Sequence, residues 1–393
     1  MNGGGIKNYY RRLFNHTLNI FKSGIKNPQL AVDYGILRAQ ILIFKALNQI
    51  GVYYQPKPKS IVSAKIELTQ DCTSRCITCN FWRITTLMNG RKIDRKRLEH
   101  RDYIKLIYQL KKLHCNTIQW LGGETLLYKR VPELIKLCTE LGIKTNIVTN
   151  GTEMTKDMAQ SLVESGLNSI TFSLDGPKEI NDKVRGIKGA FEKQLLAIER
   201  IKNADKQNKL HKSISVTVSI VNLPYIEKVL DIANKINITE INYYILSAYN
   251  KQVKQNTDKL FKKLVGSLEF LVSPALIPKD EKLLKKKQDE ILKKAKEYNI
   301  KIRGHLFTKG MANLEKGIKR KDMFCLAPYK FCVIDCYGYI YPCDLLRYPF
   351  GNIKETSIKK ALNSKEFNKF SQIYLKKFKD IEICRYCPLY CPI

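Results

Sequence analysis

The sequence is poor in acidic residues relative to basic ones. Against 69 Lys and Arg residues stand 36 Asp and Glu residues, which gives a formal net charge of +33. Such an excess favours anionic partners such as nucleic acid, phosphorylated molecules or an anionic membrane surface, although solvated lysine-rich helix faces would give the same total. The basic residues are not interleaved with aromatic residues, as on a surface that stacks single-stranded nucleic acid. Nucleic acid is therefore the least favoured of these partners.

The sequence also lacks an export signal and a long uninterrupted apolar stretch. It begins Met1-Asn2-Gly3-Gly4-Gly5, without an apolar segment or a cleavage site, so we expect a cytoplasmic protein. The most apolar stretch, Gly35 to Tyr54, is interrupted by polar and basic residues, and its apolar residues recur at three- and four-residue steps. This pattern predicts an amphipathic helix, which either packs on the protein's own core or makes peripheral contact with an anionic membrane.

Most of the 12 cysteines fall into three groups, within residues 72–79, 325–343 and 384–391. Clustered cysteines in a chain without an export signal indicate ligands of a metal or an iron–sulfur cluster rather than disulfides. The two cysteines that stand alone, Cys115 and Cys138, are expected to pack in the core as small apolar residues.

Strand-like and helix-like segments alternate after the pair Pro56 and Pro58, which marks a boundary. Short runs rich in Ile, Val, Thr and Tyr predict parallel strands covered on both faces, and the helices between them predict right-handed crossovers. The predicted fold class is α/β, a partial (β/α)6 barrel with an N-terminal helical extension and a small Cys-rich C-terminal domain. The predicted domains are the helical extension (1–57), the barrel (58–250), a lysine-rich helical connector (251–320) and the Cys-rich domain (321–393). The predicted strands are Ile61–Thr69, Thr117–Leu121, Ile143–Thr149, Ser169–Leu174, Ser213–Val221 and Glu240–Ser247, and the predicted helices are 95–113, 131–141, 154–165, 189–208, 224–236, 254–273 and 279–299.

A C-x3-C-x2-C array follows the first predicted strand directly, at Cys72, Cys76 and Cys79. In β/α barrels the functional loops follow the carboxyl ends of the strands. A [4Fe–4S] cluster usually takes four thiolates, so three ligands on one loop leave one iron open to another donor. A zinc site or three ordinary thiols are the alternatives, but a structural zinc needs a fourth ligand and no His lies close in the sequence.

The array and its position resemble those of the radical S-adenosylmethionine (SAM) superfamily, whose members hold a [4Fe–4S] cluster at this spacing after the first barrel strand. The resemblance implies that the amine and the carboxylate of SAM chelate the open iron. It also implies that one electron cleaves SAM to methionine and a 5′-deoxyadenosyl radical, which takes a hydrogen atom from the substrate. The cofactors supply this chemistry, and the protein positions and protects it.

Further motifs of the superfamily follow the next strands in order. Leu121-Gly122-Gly123-Glu124 follows the second strand, and there the glycines are expected to allow close approach of the ligand, while Glu124 accepts from the SAM amino group. After the fourth strand, Ser173 and Arg185 are expected to hold the SAM carboxylate, since a guanidinium suits that planar anion. Asp175 is expected to reach the SAM ribose or the substrate.

The C-terminal cysteines resemble the SPASM/twitch extension of the same superfamily, which binds auxiliary [4Fe–4S] clusters. The minimal form has two cysteines flanking a hairpin and a later C-x2-C. This resemblance implies two [4Fe–4S] clusters in the protein, or three if a second auxiliary cluster is bound; a zinc knuckle is the alternative. The cysteines that match the minimal form are Cys325, Cys343, Cys384 and Cys387, and those left over as further ligands are Cys332, Cys336 and Cys391.

The function implied is that of a radical SAM oxidoreductase or transferase acting on a metabolite, a cofactor precursor or a lipid-linked substrate, assisted by the auxiliary cluster. A maturase that modifies a peptide or protein is one alternative, and a non-catalytic, metal-stabilised binding protein is another. We expect reduced flavodoxin or ferredoxin as the electron donor, because a basic surface suits an acidic partner. The sequence singles out no residue that completes the hydrogen transfer.

Overall fold

The computed structural model describes residues 56–79, 96–246, 251–261, 274–304, 306, 325–385 and 387, together with single positions between 32 and 47. Its strands are β1 (Ser63–Glu67), β2 (Thr117–Leu121), β3 (Lys144–Thr149), β4 (Ser169–Ser173), β5 (His211–Val218), β6 (Glu240–Ile245), β7 (Lys301–Arg303), β8 (Phe331–Ile334), β9 (Tyr339–Tyr341) and β10 (Gly351–Asn352). Its α-helices are α1 (His100–Lys112), α2 (Val131–Glu140), α3 (Lys156–Glu164), α4 (Lys178–Arg185), α5 (Ala190–Ala204), α6 (Lys228–Lys235), α7 (Lys251–Phe261), α8 (Glu281–Glu297), α9 (Ala327–Lys330), α10 (Ile358–Ala361), α11 (Lys365–Lys377) and α12 (Glu382–Arg385).

The described strands form one sheet, in the order β10-β9-β8-β1-β2-β3-β4-β5-β6-β7. From β1 to β7 each strand pairs in parallel with the next along the chain. On the other side of β1, β8 pairs in parallel, while β9 and β10 add antiparallel pairs. The predicted α/β class and parallel sheet are therefore confirmed, and the barrel is partial.

Several elements were not foreseen from the sequence, and three of them bear on the barrel. β7 is only three residues long and has two basic residues, so it gives no apolar run. α4 is very polar, and its sequence was interpreted only as a loop motif. β8 belongs to the Cys-rich segment, yet it pairs with β1 and so continues the barrel sheet. The predicted domain boundaries stay a prediction.

The two faces of the sheet differ in chemistry. On the outer face, under the helices, residues such as Ile66, Trp120 and Phe172 are fully buried in the main apolar core. The inner face alternates with it and is largely polar, whereas β/α barrels usually fill their interior with branched apolar residues. Neighbouring inward side chains are hydrogen bonded in a row, since Gln119 Nε2 donates to Asn146 Oδ1 (3.1 Å) and Asn146 Nδ2 donates to Ser169 Oγ (2.7 Å). The inner positions are Lys65, Glu67, Gln119, Asn146, Ser169, Thr171, Ser173, Ser213, Ser215, Thr217, Asn242 and Tyr244, with Leu121 and Val148 as the apolar exceptions.

Helix α7 links the β6 end of the sheet to the C-terminal segment. Asn256 Nδ2 donates a hydrogen bond of 2.9 Å to Glu382 Oε1 in α12. At the end of α7, the ring of Phe261 stacks on Phe370 of α11 at 5.5 Å and lies 6.2 Å from Tyr348. The C-terminal segment is therefore held both by β1 and by the helix that follows β6.

The predicted amphipathic helix near the N-terminus is helical at its described positions between 32 and 47. Leu37 and Ile41 are buried in the main apolar core, which favours packing on the protein itself, while Val32 and Ile43 are exposed. Among the helices that the structure describes, none is both long enough and apolar enough to cross a membrane. Peripheral membrane contact and a cytoplasmic location stay predictions.

Candidate functional site

The three cysteines after β1 line one cavity of about 250 Å³ at the carboxyl ends of the parallel strands. The sequence-predicted SAM residues meet them there, with Asp175 as the exception. Three thiols and a guanidinium facing one cavity are a donor set that fits a [4Fe–4S] cluster with an open iron and an anionic ligand on it. The predicted residues that line the cavity are Cys72, Cys76, Cys79, Gly122, Gly123, Glu124, Ser173 and Arg185.

The end of α4 holds the cysteine loop in place. The backbone N–H of Arg75 donates to the carbonyl of Arg185 (2.9 Å), and that of Ile77 donates to the carbonyl of Val184 (3.0 Å). Gly186 ends α4 in the left-handed region, at φ 68°, and a Cβ there would lie 2.2 Å from the Arg75 carbonyl oxygen. A glycine is therefore needed at this position for the loop to pack against the helix.

Asn150, in the Thr149-Asn150-Gly151 motif that follows β3, is a second anchor of the loop, and the sequence assigned it no role. Its Nδ2 donates to Ser74 Oγ (3.0 Å) and Thr73 Oγ1 (3.1 Å), and lies 3.7 Å from Cys72 Sγ. The residue is buried. Its position directly after a barrel strand was the available signal, because functional residues collect there.

Glu124 is held by the protein on several sides. Its carboxylate accepts hydrogen bonds from Thr149 Oγ1 (2.6 Å), the Asn150 backbone N–H (2.8 Å) and the Leu126 backbone N–H (3.0 Å). Burial raises the pKa of Glu124 above its ordinary value, against the effect of these hydrogen bonds. Glu124 thus ties the loop after β2 to the loop after β3, and its contact with the SAM amine stays a prediction.

Gly122 and Gly123 line the cavity and also pack against the start of the cysteine loop, while close approach of a ligand to them stays a prediction. A Cβ on Gly122 would lie 2.4 Å from the Thr69 carbonyl oxygen, and one on Gly123 would lie 2.1 Å from that of Asp71. The Gly123 N–H donates to the Thr69 carbonyl (2.7 Å) and the Glu124 N–H to the Asp71 carbonyl (2.8 Å). The space that these glycines leave is thus filled by the chain entering the cysteine loop.

Arg185 lies between a buried carboxylate and a cysteine. Its Nη2 is 2.6 Å from Asp175 Oδ2, and its Nη1 is 3.8 Å from Cys76 Sγ. Asp175 Oδ1 also accepts from the Thr217 backbone N–H (2.7 Å). Burial raises the pKa of Asp175, and the Arg185 guanidinium opposes this effect. Asp175 does not line the cavity and is paired with Arg185, so its contact with the SAM ribose or the substrate stays a prediction.

The C-terminal cysteines line a second cavity, of about 370 Å³. Burial raises the pKa of the Cys343 thiol, and its Sγ accepts from the Leu346 backbone N–H (3.1 Å). Within the described ranges, no group of three or more His, Cys, Asp and Glu side chains could hold a metal ion. The cysteines that line the second cavity are Cys325, Cys343, Cys384 and Cys387.

Cys332 and Cys336, the further ligands suggested by the sequence that the structure describes, lie outside the second cavity. Cys332 stands opposite Ala64 in the β8–β1 register, on the outer face, and is fully buried. Cys336 is also fully buried, and its carbonyl accepts from the Leu98 backbone N–H (2.8 Å). Neither lines the second cavity, so their alternative role as auxiliary ligands is not supported, and Cys391 lies outside the described residues. The two cysteines expected in the core, Cys115 and Cys138, are buried in it.

The structure thus has one cysteine-lined cavity at the carboxyl ends of the barrel strands and another in the C-terminal segment. This arrangement is typical of an iron–sulfur protein built on a partial β/α barrel. The family model of the radical SAM superfamily matches residues 66–233, and that of the SPASM iron–sulfur cluster-binding domain matches residues 325–388. The chain belongs to the radical SAM superfamily and carries a SPASM domain. It is an enzyme. Its cofactors are SAM, the [4Fe–4S] cluster of the radical SAM domain and the additional iron–sulfur clusters that a SPASM domain binds.

Relatives with different substrates match the chain. It is 23% identical over 313 residues to the AdoMet-dependent heme synthase of Oleidesulfovibrio alaskensis, covering 77% of this chain and 74% of that protein. It is 23% identical over 187 residues to the PqqA peptide cyclase of Bradyrhizobium diazoefficiens, covering 46% of each. Its fold is similar to that of Streptococcus suis SuiB bound to S-adenosylmethionine, with a TM-score of 0.59, 17% identity, and coverage of 86% of this chain and 72% of that one.

Proposed function

We propose that this protein cleaves SAM reductively at a [4Fe–4S] cluster held by Cys72, Cys76 and Cys79, and takes a hydrogen atom from a metabolite, a cofactor precursor or a lipid-linked substrate. The observation that carries the proposal is the meeting of these thiols with Glu124, Ser173 and Arg185 around one cavity. When bound, the cluster and SAM supply the radical chemistry.

The chain's own residues would bind and orient SAM. Ser173 and Arg185, which line the cavity, would hold the SAM carboxylate. Asp175 would fix the guanidinium, since its Oδ2 is 2.6 Å from Arg185 Nη2. Glu124 and Asn150 act as positioning residues, because their hydrogen bonds join the loops after β1, β2 and β3.

The C-terminal cysteines are proposed to hold one auxiliary [4Fe–4S] cluster. Their shared cavity supports this assignment, since four thiolates are the usual ligand set. Held by these four cysteines, an auxiliary cluster would supply a one-electron acceptor, which would suit a net oxidation of the substrate.

A small-molecule substrate has the broader support. The similarity to a heme synthase runs over 77% of the chain, whereas that to a peptide cyclase covers 46%. The polar inner face of the sheet would offer hydrogen bonds to such a substrate. A peptide substrate is the second candidate, and the similarity to the peptide cyclase is what favours it.

The first experiment measures iron, sulfide and 5′-deoxyadenosine. We expect about eight irons per chain after anaerobic reconstitution, as for two four-iron clusters, and 5′-deoxyadenosine on addition of dithionite and SAM. Cys76→Ala is the matched variant, and it should lose both 5′-deoxyadenosine and about four irons. Zinc in place of iron, with no 5′-deoxyadenosine from the wild-type protein, would overturn the proposal; about twelve irons would overturn the single auxiliary cluster.

A second experiment separates the two substrate classes. Low-molecular-weight extract of the source cells is added to the reduced enzyme, before and after treatment with peptidases, and 5′-deoxyadenosine formation is followed. Stimulation that survives the peptidases supports a small molecule. Stimulation that the peptidases abolish would instead assign a peptide.

The electron donor is proposed to be an acidic, reduced flavodoxin or ferredoxin. The net charge of +33 supports this partner, because complementary charge accelerates encounter at low salt. The rate of cluster reduction by such a donor should fall with increasing ionic strength, and a rate that salt leaves unchanged would contradict the proposal.

A further inference from the structure

An ion pair lies in the wall of the second cavity. Lys65 Nζ, on the inner face of β1, is 2.5 Å from Asp344 Oδ2, and the two side chains are only 24% and 25% exposed. Both residues line the cavity together with Cys343 and the other three cysteines. The pair is thus a partly desolvated charge arrangement beside the proposed cluster ligands, where salt screens it less than a surface pair.

The negative member of the pair lies next to a cysteine in sequence. Asp344 follows Cys343 directly, and both line the second cavity. The ring of Phe331 lies 5.5 Å from Lys65 Nζ, and Arg347, which pairs with Glu67, also interacts electrostatically with Asp344. Lys65 therefore compensates a negative charge that would otherwise act on the ligand thiolate.

The positive member also faces the barrel interior. Lys65 interacts electrostatically with Tyr244, an inner-face residue of β6, as does Arg303. The pair therefore lies between the interior, where a substrate would enter, and the four cysteines. This position would let its charge affect electron transfer between the two.

We propose that the two charges of the Lys65–Asp344 ion pair act in opposite directions on the reduction potential of the auxiliary [4Fe–4S] cluster and largely cancel, with Lys65 favouring the reduced form and Asp344 opposing it. This inference rests on the proposed function, because it assumes a cluster on Cys325, Cys343, Cys384 and Cys387. In the step concerned, the cluster gains one electron from an external reductant, and no bond forms or breaks. A nearby positive charge stabilises the more negative reduced form, and a nearby negative charge destabilises it.

The test is an EPR-monitored redox titration with dithionite on the full chain. Cys72, Cys76 and Cys79 are replaced by Ala, so that only auxiliary iron gives a signal. Lys65→Met leaves Asp344 uncompensated, and should make the equilibrium constant for reduction about tenfold smaller, a shift of about 59 mV for one electron. Asp344→Asn leaves Lys65 uncompensated, and should shift the potential in the opposite direction by a similar amount.

Two further variants separate charge from packing. Lys65→Arg keeps the charge, and Lys65→Met/Asp344→Asn removes both charges, so both should stay within about twofold of the parent, well below the tenfold change of the single variants. Shifts of the two single variants in the same direction, or no shift in either, would overturn the inference.

The iron content of the parent variant separates a failure of the auxiliary-cluster assignment from a failure of the inference about the ion pair. If the parent variant retains no iron, the four cysteines hold no cluster, and both the assignment and the inference are wrong. If iron is retained but the potentials do not respond to charge, only the inference is wrong.

Discussion

The guanidinium of Arg347 is paired with the carboxylate of Glu67, 280 residues away in sequence, with Arg347 Nη1 3.3 Å from Glu67 Oε2. Both side chains are buried, at 6% and 1% exposure. Glu67 ends β1, just before the cysteine loop, and the Arg347 guanidinium also lies 5.3 Å from the centre of the Tyr341 ring. The pair therefore fastens the C-terminal segment to the strand that leads into the SAM site.

Removing one member of this pair should be costly. Arg347→Leu leaves the Glu67 carboxylate buried without its partner, and we expect a loss of about 3 kcal/mol in the free energy of unfolding. The double variant Glu67→Gln/Arg347→Leu removes both charges and should recover more than half of that loss. Anaerobic urea denaturation measures both values. A double variant as unstable as the single one would show that packing, and not the buried charge, accounts for the loss.

Asp335 should make stability depend on pH. Burial, helped by the charge of Glu67, raises the pKa of Asp335 to about 6 from 3.8. The folded state therefore binds the proton more tightly than the unfolded state, so this contribution to stability is full below the unfolded pKa and is lost as pH rises through about 6. Between pH 5.5 and 8 the loss should be roughly 1 kcal/mol.

Asp335→Asn is the matched variant for this effect. Its amide oxygen can still accept from the backbone N–H groups of Tyr337 and Tyr339, but it does not titrate. The difference in unfolding free energy between wild type and variant should change by roughly 1 kcal/mol between the two pH values. A difference that stays constant with pH would contradict the assigned pKa.

The sequence predicted the parallel strands and the cysteine array well, and the contacts between distant segments poorly. The strands were readable because residues such as Ile118 and Trp120 stand in short apolar runs that one sheet face buries. The cysteines that share each cavity were readable from their grouping in the sequence and from the resemblance to a known family. By contrast, the Asn150–Ser74 hydrogen bond joins residues 76 positions apart, and the β8–β1 pairing brings Phe331 opposite Ser63. Neither leaves a local pattern in the sequence.

Gly123 should not tolerate a side chain. Gly123→Ala would place a Cβ 2.1 Å from a backbone oxygen of Asp71, and backbone cannot move aside as a flexible side chain can. We expect destabilisation by about 3 kcal/mol and a loss of iron from the first site. Gly35→Ala is the control, because none of the residues that the structure describes has an atom within 4 Å of a Cβ at this position, and it should be neutral or slightly stabilising. Equal iron content in the two variants, measured after the same reconstitution, would contradict the close contact.

Cysteine variants should distinguish auxiliary ligands from core residues. Cys343→Ala should lose about four irons per chain, because Cys343 lines the second cavity. Cys336→Ala should keep the full iron content and lose only packing energy, since Cys336 is buried away from that cavity. Iron analysis with Mössbauer spectroscopy reports both. A loss of about four irons from Cys336→Ala would restore Cys336 as a ligand, and with it the second auxiliary cluster.

Asn150 should matter for the SAM site without being a ligand of iron or SAM. Asn150→Ala removes the donors to Ser74 and Thr73 and frees the loop that carries Cys72. We expect iron of the first site to be lost to oxygen at least tenfold faster, with auxiliary iron unaffected, because the auxiliary cysteines are held by other contacts. Asn203→Ala, at an exposed position, is the matched control and should behave as wild type. Stopped-flow absorbance after mixing with oxygen, with EPR to assign the lost signal, measures the rates. Equal rates for the two variants would show that α4, through the backbone bonds from Arg75 and Ile77, holds the loop without help from Asn150.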